Sequence, residues 1–186
     1  MANDNIPLGL IPLNFTVNQA HYYRVSTAGD IYVGMPVAIG AAGYVVRAEI
    51  TTQNTVILGV AVGFAGALKR GLATNDPFLD VSDLTPPSPS SDTGDRYVFV
   101  ADNPIQEFLI QEDTGGTALA IADIGASADL LYRGAAGADT TGNTDTGRAT
   151  LELDASTIAA TTGGAVTVLR LDDRVHTDGT ENSVGD

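Results

Sequence analysis

The chain contains no cysteine and no tryptophan. Without cysteine there is no disulfide, no thiolate nucleophile and no cysteine–zinc centre. Bases are scarce too. Lys and Arg together number 9 against 23 acids, the net charge is −14, and Lys69 is the single lysine. A protein that grips duplex nucleic acid needs Lys and Arg to displace counterions from phosphates. This chain would be repelled, and anionic membrane surfaces are disfavoured for the same reason. The partner class that such a charge favours is a basic protein surface. The longest apolar run, VILGVAVGFAGAL at 56–68, falls short of the ~18 residues of a membrane span. MANDNIPLGL has no basic stretch ahead of an apolar one, so no secretory signal is read. The sequon Asn14-Phe15-Thr16 is therefore expected to be idle.

Charged residues make up 17% and hydrophobic residues 44% of the 186. The first figure lies below the ~25% usual for soluble proteins, while the second allows a sizeable core. A surface short of charge must be covered by small polar residues or by other protein, which points towards assembly.

The pattern along the chain is mainly β. HYYRVS, GDIYVGMPVAIG, GYVVRAE and NTVILGVAVGF are rich in Val, Ile and Tyr and are bounded by Gly, Asn or Thr, as short strands are. Ala41-Ala42-Gly43 predicts a hairpin turn, with Gly43 at positive φ. Residues 56–64 are apolar on both faces and predict a central strand. YVFVADNPIQEFLIQED, at 97–113, predicts two strands with Asp102-Asn103-Pro104 between them. Tyr97, Phe99 and Ala101 alternate with Val98 and Val100, so both faces of the first strand need cover. A short helix is expected over 118–124, stopped at Gly125. ADLLYRG, ATLELD and AVTVLRLDDR complete about nine short strands, spaced as in a single-domain β-sandwich or barrel.

The ends and one loop differ from this core. Residues 1–20 form an N-terminal arm ahead of a β-rich domain at 21–171. Ile11, Leu13, Phe15 and Val17 alternate as a strand does. The segment is either an edge strand of its own domain or an extended arm docking on a neighbouring subunit. Residues 82–95 are rich in Pro, Ser and Asp. Pro86 and Pro87 favour extended polyproline geometry, and so long a loop in a compact domain reads as a functional or contact loop, or a mobile one. Residues 172–186 form a polar tail. The candidate contact residues are Ile6, Leu8, Leu10, Ile11, Leu13, Phe15, Pro86 and Pro87.

Three Asp-Thr-Gly triplets, at 92–94, 113–115 and 145–147, carry the signature of aspartic proteases. That chemistry needs each Asp at the end of an apolar strand, so that two meet and share a proton. Here the preceding pairs are polar, and turns are the expectation, with Gly at positive φ. The oxygen-rich loop 139–145 lacks the closing Glu of an EF-hand and reads as a solvated loop. His21 and His176 lie far apart, and there is no G-x-S-x-G elbow or phosphate-cradling glycine motif. Neither catalytic, cofactor nor metal residues are assigned, and no enzyme is expected.

The order of segments resembles that of tailed-phage head decoration, or cement, proteins. The residues that carry it are IPLGLIPL, GDIYVGMPVAIG, GYVVRAE and NTVILGVAVGF, a β pattern also seen in lambda-type head-stabilising proteins. RYVFVADNPIQEFLIQED, ALAIADIGASADLL, ATLELDASTIA and AVTVLRLDDR complete it, so that the resemblance spans about residues 6–175. It implies a β-rich virion protein on the capsid surface, made in the host cytoplasm. It further implies a homotrimer that bridges subunits of the major capsid protein, with no cofactor. A glycan-binding β-sandwich adhesion module is the alternative, although such sites usually display aromatic platforms and aromatics here are 6%.

Overall fold

The computed structural model describes residues 7–25, 30–40, 43–50, 56–65, 78–79, 97–113, 119–132, 141–143, 146–159 and 164–171. Ile6, Pro86, Pro87, the loop 82–95 and the tail 172–186 lie outside them. The fold is mainly β. In chain order its strands are β1 (Ile11–Pro12), β2 (Ala20–Arg24), β3 (Ile31–Tyr32), β4 (Pro36–Ile39), β5 (Val45–Arg47), β6 (Gly59–Ala65) and β7 (Phe78–Leu79). Then come β8 (Tyr97–Ala101), β9 (Phe108–Leu109), β10 (Ser127–Tyr132), β11 (Gly142–Asn143), β12 (Arg148–Ala149), β13 (Leu151–Ala159) and β14 (Val166–Thr167).

The largest sheet is antiparallel, in the order β2-β8-β6-β4-β5. The doubly apolar β6 sits at its centre, as its sequence predicts. Gly59 is required there, because a Cβ would run into the Ala101 carbonyl of β8 and the Val100 side chain. A register shift between Ala61 and Gly63 marks a bulge against β8, which adds twist. A parallel bridge joins Val25, just past β2, to Val45 at the start of β5. It brings the two outer strands together and curls the sheet towards a small barrel. β4 and β5 form the expected hairpin, with Gly43 at φ +78°.

A second, three-stranded sheet runs β13-β10-β14. Val33, between β3 and β4, bonds to the chain at β12: its amide donates to the Gly147 carbonyl at 3.0 Å, and its carbonyl accepts from Ala149 at 2.9 Å. Leu10, Val25, Ile31, Met35, Val45, Val98, Leu130, Leu151 and Val168 belong to one buried cluster. A single core therefore spans both sheets. Each such side chain contributes about 1.5–3 kcal/mol when fully buried.

All five residues of β8 are buried. The cover on both faces comes from the chain itself. Phe99 stacks against Tyr22 of β2 (centroids 4.6 Å apart, 29° between planes) and meets Phe15 edge-on at 6.4 Å. β8 and β9 are not a hairpin. A turn at 103–106, closed by Gln106 N–H to the Asn103 carbonyl at 2.9 Å, carries the chain out of the main sheet. β9 then pairs with β1.

Two expectations are corrected. The helix over 118–124 is a single 3-10 turn at Ile121–Asp123. The Asp123 carboxylate accepts from the Ala120 amide at 2.8 Å, the kind of local bond that competes with a helix. Gly125 then takes φ +91° and the chain enters β10. The alternation from Ile11 to Val17 yields a strand only at Ile11–Pro12. Asn14 sits at φ +52° and turns the chain. Thr16 and Gln19 then close a 3-10 turn at Val17–Gln19 through reciprocal bonds of 2.9–3.0 Å.

Candidate functional site

The N-terminal segment folds back on its own domain. Gly9 and Gly34 cross with their backbones in contact, at φ +73° and +86°. A Cβ on Gly9 would lie 2.7 Å from the Gly34 carbonyl oxygen, and one on Gly34 would lie 2.9 Å from that of Leu8. The Leu10 amide donates to the Gly34 carbonyl at 2.9 Å, and the Gly34 amide to Ala61 of β6 at 2.8 Å. Beyond the crossing, Ile11 pairs with Leu109 and Pro12 with Phe108. The Leu13 amide donates to the Glu107 carbonyl at 2.9 Å, and its own carbonyl accepts from the Gln106 amide group at 2.5 Å.

The candidate contact residues therefore divide. Leu10 is core, Ile11, Leu13 and Phe15 are half-buried against the domain, and Leu8 is 40% exposed. Residues 7–17 pack against their own domain, with Ile11–Pro12 paired to β9 rather than to the edge of the main sheet. Deleting 1–17 would remove Leu10 from the core and the strand partner of β9.

The acids of the 97–113 stretch also have structural places. Residues 111–113 run beside β13: the Leu153 amide donates to Gln111, and the Asp113 amide to Leu153, both at 2.9 Å. Asp113 is buried, and its carboxylate accepts from the Ala155 amide at 3.0 Å. It serves as a side-chain extension of the ladder. The Gly147 of the third triplet closes the β11–β12 turn at φ +67°, its amide donating to Asn143 at 2.8 Å. Asp92, Asp145, Thr114 and Gly115 lie outside the described residues, as does most of the loop 139–145.

One polar cluster escaped the sequence reading. His21 and Tyr23 lie on the same face of β2, paired with Val100 and Val98 of β8. Asp102, two residues past Val100, falls on that face. Its carboxylate accepts from the Tyr23 hydroxyl at 2.5 Å and lies 2.9 Å from His21 Nδ1. The legible signal was the i, i+2 spacing of His21 and Tyr23, but the partner strand was not. Burial alone would raise the Asp102 pKa; the Tyr23 hydroxyl, the His21 ring and a backbone amide outweigh it and hold the carboxyl below its ordinary range. The hydrogen bond to Asp102, then burial, pushes the Tyr23 hydroxyl up to about 12.

These directions fix a pH dependence. The Asp102 contribution is present above the ordinary carboxylate range near ~4 and is lost as pH falls through its depressed folded value. The Tyr23 contribution is complete below about 10 and is lost as pH rises from there to about 12. Melting curves of the wild type and Tyr23→Phe should therefore converge as pH rises from about 10 to about 12. Parallel curves would show that Tyr23 is not coupled to folding.

Among the described residues, no group of three or more His, Cys, Asp or Glu is placed to hold a metal ion. Likewise, no described helix is long and apolar enough to cross a membrane. Tyr132 buries its hydroxyl without a hydrogen-bond partner among the described residues, and burial raises its pKa, with Arg47 opposing. Comparison with protein-family models, with curated proteins and with solved structures finds no match to this chain.

Proposed function

We propose that this chain is a structural protein of a tailed-phage head, a cement protein that binds the outside of the shell and bridges major capsid subunits as a homotrimer. The observation that carries the reading is the kind of surface the domain presents. Val17, Ile105, Ile121 and Leu169 are large, apolar and well over half exposed. They stand on a strongly acidic chain with few bases. Exposed apolar side chains on a surface short of charge are available for contact with another protein, and an acidic surround favours a basic partner. The resemblance in segment order supplies the identity of that partner.

Mass spectrometry of purified phage particles tests the reading. The expected result is a fixed copy number of this chain per major capsid subunit, and sedimentation of the isolated protein should give three copies per particle. Absence from particles would overturn it.

Tyr22 favours a second reading. Its ring is partly exposed on the Phe99 stack, and exposed aromatic faces bind sugars. One ring with a face already taken is a small platform, so the glycan-binding module ranks second. Reproducible hits on a glycan array that vanish in Tyr22→Ala would promote it.

A further inference from the structure

The strand alternation from Ile11 to Val17 is a pattern that the fold leaves largely unused, and it breaks at Asn14. Among the described residues Asn14 is the single non-glycine at positive φ, +52°, and it is exposed. On its N-terminal side Ile11–Pro12 is already strand. On its C-terminal side Thr16 is extended, at φ −120° and ψ 148°. Returning Asn14 to extended geometry would join residues 11–16 into one run of roughly 20 Å, at about 3.3 Å per residue. A left-handed non-glycine residue stores strain, even though asparagine bears that conformation better than most. A short strained turn is the kind of hinge across which copies of a chain exchange an element.

The segment ahead of this hinge is small and separable. Leu10 is its one large side chain in the core. The rest of its hold is the two-residue ladder with β9 and the amides of Leu10 and Leu13, which donate to Gly34 and Glu107 at 2.9 Å. The slot is also selective. Where Gly9 crosses Gly34 there is no room for a Cβ on either backbone, so the segment that fits must carry glycine at the crossing and a core side chain next to it. Residues 7–13 of a second copy meet that demand by identity. They would remake every contact, so exchange between copies loses none of them.

We infer that residues 7–13 are an exchangeable arm hinged at Asn14, and that each copy docks its arm in the slot of the next, a step that rests on the homotrimer proposed above. Head-to-tail exchange of this kind closes into a ring when the rotation between copies allows it. Opening the hinge releases the Asn14 strain in every copy. Copies of net charge −14 repel one another, so the ring forms against that repulsion and added salt should favour it.

The chain has no cysteine, so one introduced pair reports which copy fills the slot. Ile11 and Leu109 are register partners. The full-length variant Ile11→Cys/Leu109→Cys is oxidised to completion, as judged by thiol titration, and run under denaturing, non-reducing conditions. Sedimentation of the wild type and of the reduced variant gives the copy number. The expected result is three copies by sedimentation and covalently linked trimers on the gel. Asn14→Gly takes a left-handed φ without strain, so it should stay folded, keep the arm on its own domain and weaken trimer formation at least fivefold. Trimers whose fully oxidised chains all run singly overturn the exchange and leave the trimer reading standing. A wild type that sediments as single copies at every concentration and salt overturns the trimer reading, and the exchange with it. A folded Asn14→Gly that assembles as well as the wild type overturns the hinge.

Discussion

Gly34→Ala is expected to destabilise the domain by about 3 kcal/mol, combining left-handed backbone strain with a clash that cannot relax by rotation. The new Cβ would meet the Leu8 carbonyl oxygen at 2.9 Å, the Gly9 Cα at 3.1 Å and the Leu10 nitrogen at 3.2 Å. All three are backbone atoms. The N-terminal segment would have to lift, drawing Leu10 out of the core and loosening β1 from β9. Such a loss is a large share of the ~5–15 kcal/mol that holds a domain together. Gly43→Ala separates the two causes. Gly43 also has positive φ, +78°, but a Cβ there meets nothing within 4 Å. It should cost only the conformational part, about 1–2 kcal/mol. Urea unfolding of both variants is the measurement. Equal losses would mean that the crossing at Gly34 does not anchor the segment.

Asp113→Ala is expected to cost roughly 1–3 kcal/mol, the penalty for leaving a buried amide without its acceptor. The amide is that of Ala155, and Asp113 accepts from it at 3.0 Å. At about 2–4 °C of Tm per kcal/mol for a chain of this size, melting should fall by several degrees. Asp113→Asn keeps an acceptor oxygen and should recover part of the loss. If Asp113→Ala melts with the wild type, the carboxylate is not supporting the ladder.

Much of the β content was legible because β-branched and aromatic runs are bounded by turn residues. β6 and β8 read correctly as strands apolar on both faces. Their neighbours did not, since pairing is set by contacts far apart in sequence. The cover of Phe99 comes from Phe15 and Tyr22, which no local pattern connects to it. Glu152 illustrates a second limit. The alternation of ATLELD places it opposite Leu151 and Leu153, on the face expected to be wet, yet it is fully buried. What covers that face is invisible to periodicity. The His21–Tyr23–Asp102 cluster was hidden for the same reason, with 79 positions between Tyr23 and Asp102. At 118–124 a short helix was expected. The Asp123 carboxylate bonds its own turn, and a single 3-10 turn forms there instead.

β8 lies between β2 and β6, and that order bears on how the protein is made. The sheet's first strand ends at Arg24, 73 positions before Tyr97 begins β8. At about 5–20 residues per second, the ribosome takes some 4–15 s to cover that stretch. Throughout that interval β2 lacks the β8 ladder it pairs with, and β6, once made, has only the β4 side of its own. The five-stranded sheet therefore cannot be completed until β8, the strand between β2 and β6, has been made.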